Sequence, residues 1–169
     1  MTPVLLGLGA NIGDRRQTIR AALDGIARFA RLGAVSALYE TAPMYVTDQD
    51  PFINICAVVE SELSPDALLY AVKDLERTLG RTPSVRFGPR QIDIDIIMYG
   101  DLSVSVSDLQ IPHPRMLERA FVLIPAVDVA GDWVHPVAGR TVRDLAADLG
   151  DSPDVAWIGD SASLLTAPA

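Results

Sequence analysis

The sequence predicts an α+β domain in which an antiparallel sheet carries its helices on one face. Three observations support this. Six segments follow the order β-α-β-β-α-β, the two middle strands are joined by a connector too short to cross over, and the two helical segments are marked by apolar residues at helical spacing in the first and by capping residues in the second. Residues 3–9 form a short apolar run ending in glycine and read as a strand. Residues 14–32 place Ile19, Ala22, Leu23, Ile26, Ala27 and Ala30 at helical spacing. Residues 34–45 and 52–63 are rich in β-branched and aromatic side chains, and the connector 46–51 leaves no room for a crossover helix, so the two should pair antiparallel. Residues 64–80 open with Ser-Pro-Asp, an N-cap followed by proline at the first helical position, and close on glycine as a second helix. Residues 92–99 then alternate as a strand. This order is that of a ferredoxin-like sandwich, whose other sheet face is free to carry a site. After Gly100 the pattern loosens through Pro112, Pro114, Pro125 and Pro136 into a C-terminal extension with one short helix at 141–149. Residues 1–160 are expected to form a single domain, and 161–169 a frayed tail.

Composition narrows the classes of function. With 49% apolar and 21% charged residues over 169 positions, the chain can bury a full core, and disorder is excluded. Fourteen basic residues against 22 acidic ones leave a net charge of −8, which argues against nucleic acid or an anionic membrane as partner. The longest apolar stretches fall well short of the roughly 20 residues that span a bilayer. Residues 1–10 lack the basic start of a secretion signal, so a cytoplasmic location is expected. Cys56 is the only cysteine and sits in an apolar run, where a buried thiol is expected. His113 and His135 are the only histidines, so a zinc site has too few ligands and any metal chemistry must run on carboxylates.

Three segments carry chemistry. The glycine-rich stretch Gly7-Leu8-Gly9-Ala10-Asn11-Ile12-Gly13 misses dinucleotide-binding spacing by one residue and precedes a hairpin, so it reads as a strand-to-helix turn that can also line a ligand site through Asn11. Ile92-Asp93-Ile94-Asp95-Ile96-Ile97 sets two carboxylates on one face of a strand and isoleucines on the other. Aspartate suits strands poorly, and two on one face repel unless cations lie between them. A pair of hard cations bridged by carboxylates and phosphates would settle the charge. Directly upstream, Arg77, Arg81, Arg86 and Arg90 fall within fourteen residues that hold no acid, in a stretch marked as loop by Thr82, Pro83, Gly88 and Pro89. Arginine forks match phosphate oxygens, and a cationic loop beside a dimetal site suits phosphoryl transfer from a nucleotide.

Residues 86–97 (RFGPRQIDIDII) resemble the signature of the 6-hydroxymethyl-7,8-dihydropterin pyrophosphokinase family of folate biosynthesis. Residues 7–15 (GLGANIGDR), 39–44 with Phe52-Ile53-Asn54, and 111–123 (IPHPRMLERAFVL) agree in order and spacing, so the resemblance spans about residues 4–130. It implies an enzyme that moves the terminal pyrophosphoryl group of ATP to the hydroxymethyl oxygen of the pterin and releases AMP. It also implies that Asp93 and Asp95 hold two Mg2+ ions, that Arg81 and Arg90 close over the phosphates, and that His113 and Arg119 hold the nucleotide. Ile96, Lys73 and Arg86 are further candidates on the nucleotide side. On the pterin side, Phe52 and Phe121 fall where the family stacks the ring, and Thr41, Ala42, Pro43 and Met44 would offer backbone groups to its edge. Asn54, two residues after Phe52 and on the same strand face, has the donor and acceptor needed to read a pterin edge. No general base stands out, and phosphoryl transfer often needs none.

The chain departs from the family pattern at Pro83, where many members carry a second arginine, and at Phe87, where a tryptophan is common. Two other readings share the same residues: a ferredoxin-like module that binds nucleotide or pterin without turnover, and a two-metal phosphohydrolase that needs no aromatic pair. A monomer is expected rather than a homodimer.

Overall fold

The computed structural model describes residues 1–42, 50–80, 92–106 and 108–165. The first strand, β1 (Thr2–Ala10), leads to α1 (Arg15–Ile26), where the Asp14 carboxylate caps the helix by accepting the Gln17 N–H at 3.1 Å. This helix stops six residues short of the expected end at position 32, because Arg31–Val35 is a strand, β2, followed by β3 (Leu38–Thr41) and β4 (Phe52–Ser61). The single strand expected over 34–45 is thus two strands. Both pair antiparallel with β4, and Ser36 marks the break, its hydroxyl accepting the Cys56 N–H at 2.9 Å. The expected end of that strand lies outside the described residues. Helix α2 (Pro65–Gly80) starts at Pro65, with the Ser64 hydroxyl accepting the Ala67 N–H at 3.3 Å, and leads to β5 (Asp93–Tyr99).

The main sheet runs β5-β1-β4-β3, as the β-α-β-β-α-β order requires, and both helices pack on one face. There Val4, Leu6, Leu8 and Ala10 of β1, Ile53 and Ile55 of β4 and Ile94 and Ile96 of β5 meet Ile19, Leu23 and Ile26 of α1 and Leu68 and Val72 of α2. The C-terminal extension is more ordered than the proline-rich pattern suggests. A hairpin of β6 (Val104–Val106) and β7 (Leu109–Ile111) and a 3-10 turn lead into α3 (Ala120–Ala130), followed by α4 (Val142–Asp148), β8 (Val155–Gly159) and α5 (Ala162–Leu165). α3 and α4 cover part of the other sheet face, burying Leu5, Cys56, Ile97 and Met98 beneath Val122, Leu123, Ala126, Val142 and Leu145. A bulge opposite Leu5 and Leu6 lets Ile97 and Met98 both enter this second core. β8 joins the sheet outside β3. Of the tail expected to fray over 161–169, Ala162–Leu165 make a helical turn, and 166–169 lie outside the described residues. Leu164 of this turn is 4% exposed within the first core, and Ser163 accepts a hydrogen bond from Arg16 at 3.1 Å.

Candidate active site

Strand register assembles the site. Asp93 pairs with Gly9, Gly9 with Asn54, Asn54 with Tyr39, and Tyr39 with Trp157, so five strands contribute one residue each to a row across the sheet. Their neighbours Leu8, Ala10, Ile53, Ile55, Ile94 and Leu38 fill the core beneath α1 and α2, so the row faces the α3 side. Asp95, Gly7 and Cys56 form the next row. The acidic pair therefore stands at one edge, and two glycines separate it from Asn54 and Cys56. A side chain at Gly9 would collide, its Cβ lying 2.7 Å from Asn54 Oδ1, whereas a Cβ on Gly7 would make a tight 3.3 Å contact with Ile97 Cδ1.

At the far end of the strip, buried Asn54 donates from Nδ2 to Thr41 Oγ1 at 2.6 Å, which fixes its amide plane. Phe52, two residues earlier on β4, is half-buried near Gly9, and Phe121 opens α3, with the Arg119 guanidinium 5.4 Å from its ring centroid. Tyr39 donates to Asp128 Oδ2 at 2.8 Å, and the same oxygen accepts the Ala37 N–H at 3.1 Å, so α3 holds the start of β3 in place. Burial and Asp128 push the Tyr39 phenol up, which keeps it protonated.

At the acidic end, β5 is the edge strand, and α2 reaches around it. Lys73 Nζ lies 2.9 Å from the Ile94 carbonyl, 3.5 Å from Asp95 Oδ1 and 4.0 Å from Asp93 Oδ1, and Glu76 accepts the Ile94 N–H at 2.6 Å. Both backbone groups of Ile94, the residue between the aspartates, are therefore satisfied by one helical pair. Burial, with Asp93 next to it, raises the Asp95 carboxyl to about 6. Burial likewise raises Glu76 to about 7, against the pull of Lys73. Burial works against the Lys73 charge too, but Asp95, Glu76 and Asp93 more than offset it and hold the ammonium above its ordinary value.

His113 docks on the same strand, its N–H donating to the Ile97 carbonyl at 2.8 Å. Its Nδ1 accepts the Arg115 N–H at 3.2 Å, which leaves Nε2 to carry the ring proton. Burial and the nearby Arg119 charge hold the imidazole down at about 4, so near neutrality it is an uncharged donor.

Of the residues singled out from sequence, Asp93, Asp95, Lys73, His113 and Arg119 lie close enough to shift one another's charge, while Asn54, Thr41 and Phe52 share the other end of the strip. Ile96 turns its side chain into the first core, so only its backbone is left for a ligand. Ala42 donates its N–H to the Asp154 carbonyl at 3.4 Å, so that N–H is engaged within the protein. Asn11 is buried and donates to the Asp50 carbonyl at 3.1 Å. With Arg15, which reaches Pro51 O and Glu40, it braces the chain entering β4. Arg81, Arg86, Arg90, Pro43 and Met44, with Pro83 and Phe87, lie outside the described residues. Tyr39, Asp128 and the role of Gly9 in leaving room for the Asn54 and Phe52 side chains were not read from sequence. For Gly9 the signal was present, since Gly7 and Gly9 recur on one face of a strand whose other face is apolar, which marks a face that something approaches closely.

The donor set suits a hard divalent cation. Two carboxylates stand on one strand face, and a positive group already lies within 4.0 Å of both. Among the described residues no three His, Cys, Asp or Glu side chains converge into a metal-holding group.

Fold and site thus define a ferredoxin-like α+β domain whose sheet face carries an acidic pair at one edge and a polar and aromatic cluster beyond it. Residues 5–131 match the family model of 7,8-dihydro-6-hydroxymethylpterin-pyrophosphokinase. A 2-amino-4-hydroxy-6-hydroxymethyldihydropteridine pyrophosphokinase of Methylorubrum extorquens is 42% identical over 90% of this chain and 96% of its own length. The folic acid synthesis protein fol1 of Pneumocystis carinii is 43% identical over 82% of this chain, which spans only 19% of that longer protein. The HPPK-DHPS crystal structure from Plasmodium falciparum superposes with a TM-score of 0.71 at 16% identity, covering 87% of this chain and 44% of that one, a likeness of fold. The chain belongs to the 7,8-dihydro-6-hydroxymethylpterin-pyrophosphokinase family.

Proposed function

We propose that this chain transfers the terminal pyrophosphoryl group of ATP to the hydroxymethyl oxygen of 6-hydroxymethyl-7,8-dihydropterin in a magnesium-dependent reaction of folate biosynthesis, releasing AMP. The observation that carries the reading is the side-chain-free strip of Gly7 and Gly9, which connects the acidic pair to Asn54 within one sheet face. Two reactants placed at its ends would meet over it. The pterin lies against Phe52 and Phe121, with its edge read by Asn54, whose amide is pre-set by Thr41.

Asp93 and Asp95 would hold two magnesium ions, which when bound supply charge neutralisation for the triphosphate. Neutral His113 offers its Nε2–H to the nucleotide without adding charge, and Arg119 adds a fixed positive one. Arg81, Arg90 and Arg86, on the segment between α2 and β5, are assigned to the phosphates, and the backbone of Ile96 and the Lys73 ammonium to the nucleotide end. In the transfer the hydroxymethyl oxygen bonds to the β-phosphorus, the bond from that phosphorus to the α-β bridging oxygen breaks, and AMP leaves with the oxygen. The hydroxyl proton passes to phosphate or water, since positioning and charge dominate such steps. The reading includes a single domain acting as a cytoplasmic monomer. No helix among the described residues is long and apolar enough to cross a membrane.

The test supplies ATP, magnesium and the pterin and resolves AMP from ADP, with an Asp93→Ala/Asp95→Ala variant as control. AMP that forms only with pterin, and falls at least 100-fold in the variant, is expected. ADP formed without pterin would mean a phosphohydrolase, and binding without turnover a ligand-holding module.

A further inference from the structure

The Lys73 ammonium is the only lysine amine in the chain, and it lies where a charge of its sign has most consequence. It originates on the α1/α2 side of the sheet and passes around the β5 edge to reach carboxylates on the opposite face, 3.5 Å from Asp95 and 4.0 Å from Asp93. Two further contacts hold it there, Glu76 at 3.2 Å and the Ile94 carbonyl at 2.9 Å. We propose that Lys73 is a resident counter-ion of Asp93 and Asp95 that competes with a divalent cation for their carboxylates, so that a cation enters only by displacing it.

This inference rests on the assignment of Asp93 and Asp95 as the metal-holding pair. The physical argument is one of charge. Two carboxylates on one strand face repel, and an ammonium near both relieves the repulsion. An ammonium and a dication cannot both stay within a few ångströms of the same oxygens without repelling each other strongly. Glu76 and the Ile94 carbonyl already lie closer to Lys73 than either aspartate does, so leaving the aspartates does not require full release to water. A free divalent ion arriving alone must expel the ammonium, whereas one arriving with a triphosphate brings negative charge that Lys73 can turn towards. Lys73 thereby couples cation loading to the nucleotide and keeps the bare acidic pair from holding ions by itself.

Titration with Mn2+ in the absence of nucleotide, followed by the EPR signal of the free ion, tests this. Lys73→Gln keeps an N–H for the Ile94 carbonyl but removes the charge, and should tighten Mn2+ binding about ten-fold, the size expected for one partly screened charge at this distance. Lys73→Arg should bind like the unaltered protein. Unchanged or weaker binding by Lys73→Gln, or no binding by either protein at millimolar Mn2+, overturns the proposal and leaves Lys73 as a cap on the sheet edge. The unaltered protein gives a second readout, because acylation of its single lysine can be followed by peptide mass. Mn2+ should raise the Lys73 labelling rate several-fold, and a rate that stays level or falls overturns the proposal. Asp93→Asn/Asp95→Asn separates the two levels of the argument. If that variant binds Mn2+ as well as Lys73→Gln does, the metal assignment itself fails. If it loses binding while Lys73→Gln gains none, only the role of Lys73 fails.

Discussion

Gly9 contributes to the site by having no side chain. Its backbone is ordinary β1 strand, so alanine would cause no torsional strain, but the added Cβ would lie 2.7 Å from Asn54 Oδ1. The amide would have to turn away, and the 2.6 Å bond to Thr41 that orients it would break. Gly9→Ala is therefore expected to weaken pterin binding at least ten-fold, about 1.4 kcal/mol, while MgATP binding without pterin stays within two-fold, as read by calorimetry of each ligand separately. Overpacking should also cost about 1–3 kcal/mol of stability. Pterin affinity equal to that of the unaltered protein would mean that the ring does not lie over this strip. At this scale the acidic pair was legible, because two aspartates alternating with isoleucines cannot both be core. Asn54 was legible for a similar reason, as an amide in an apolar strand needs a partner. The reach of Lys73 around the sheet edge was not, since it depends on β5 being outermost. Nor was the hydrogen bond from Tyr39 to Asp128, which joins residues 89 positions apart.

The elements up to β5 were legible in kind and order where each carries its own period and punctuation, but the end of α1 and the break between β2 and β3 were not. The Ser64-Pro65 start of α2 and the alternation of β5 appear where expected. Beyond β5 the short helix expected at 141–149 is present as α4, while the other elements were hidden for reasons that differ by element. Helix α3 (AFVLIPAVDVA) is apolar nearly all round and contains Pro125, so it shows no stripe to read. It is helical because it lies buried between the sheet and α4. Strand β8 has only five residues and depends on pairing with β3. α5 is a single turn within a stretch, 161–169, of mostly small residues that resembles a frayed end, yet Leu164 is buried in the core shared by α1 and the sheet. Leu164→Ala should therefore destabilise the protein by about 2–4 kcal/mol in urea denaturation, as a buried leucine does and a frayed one does not. A change below about 0.5 kcal/mol would return this segment to the tail expected from sequence.

Across the whole molecule, the match to the family model ends at residue 131, but the structure does not divide there. Beyond that point Val142 and Leu145 complete the core under α3, Leu164 completes the core under α1, and β8 closes the sheet beside β3, the strand that carries Thr41 and Tyr39. Residues 132–165 therefore share both cores and the main sheet with the elements that carry the site. Both tryptophans of the chain, Trp133 and Trp157, fall within them, so intrinsic tryptophan fluorescence reports on that part alone, while far-UV circular dichroism reports mainly on the larger body of helices and strands. If the chain is one domain, the two signals should follow the same urea transition, with equal midpoints and equal slopes. Trp157 is a favourable probe because it is 63% exposed on β8 yet sits in the row that runs through Asn54 and Gly9 to Asp93. A fluorescence transition that precedes the dichroism change would mean that the C-terminal segment detaches as a unit of its own. In that case a chain ending at residue 131 should keep both its dichroism and its pterin binding. The paired burial described above predicts the opposite: the shortened chain loses cooperative unfolding, and the pterin end of the site is lost with it.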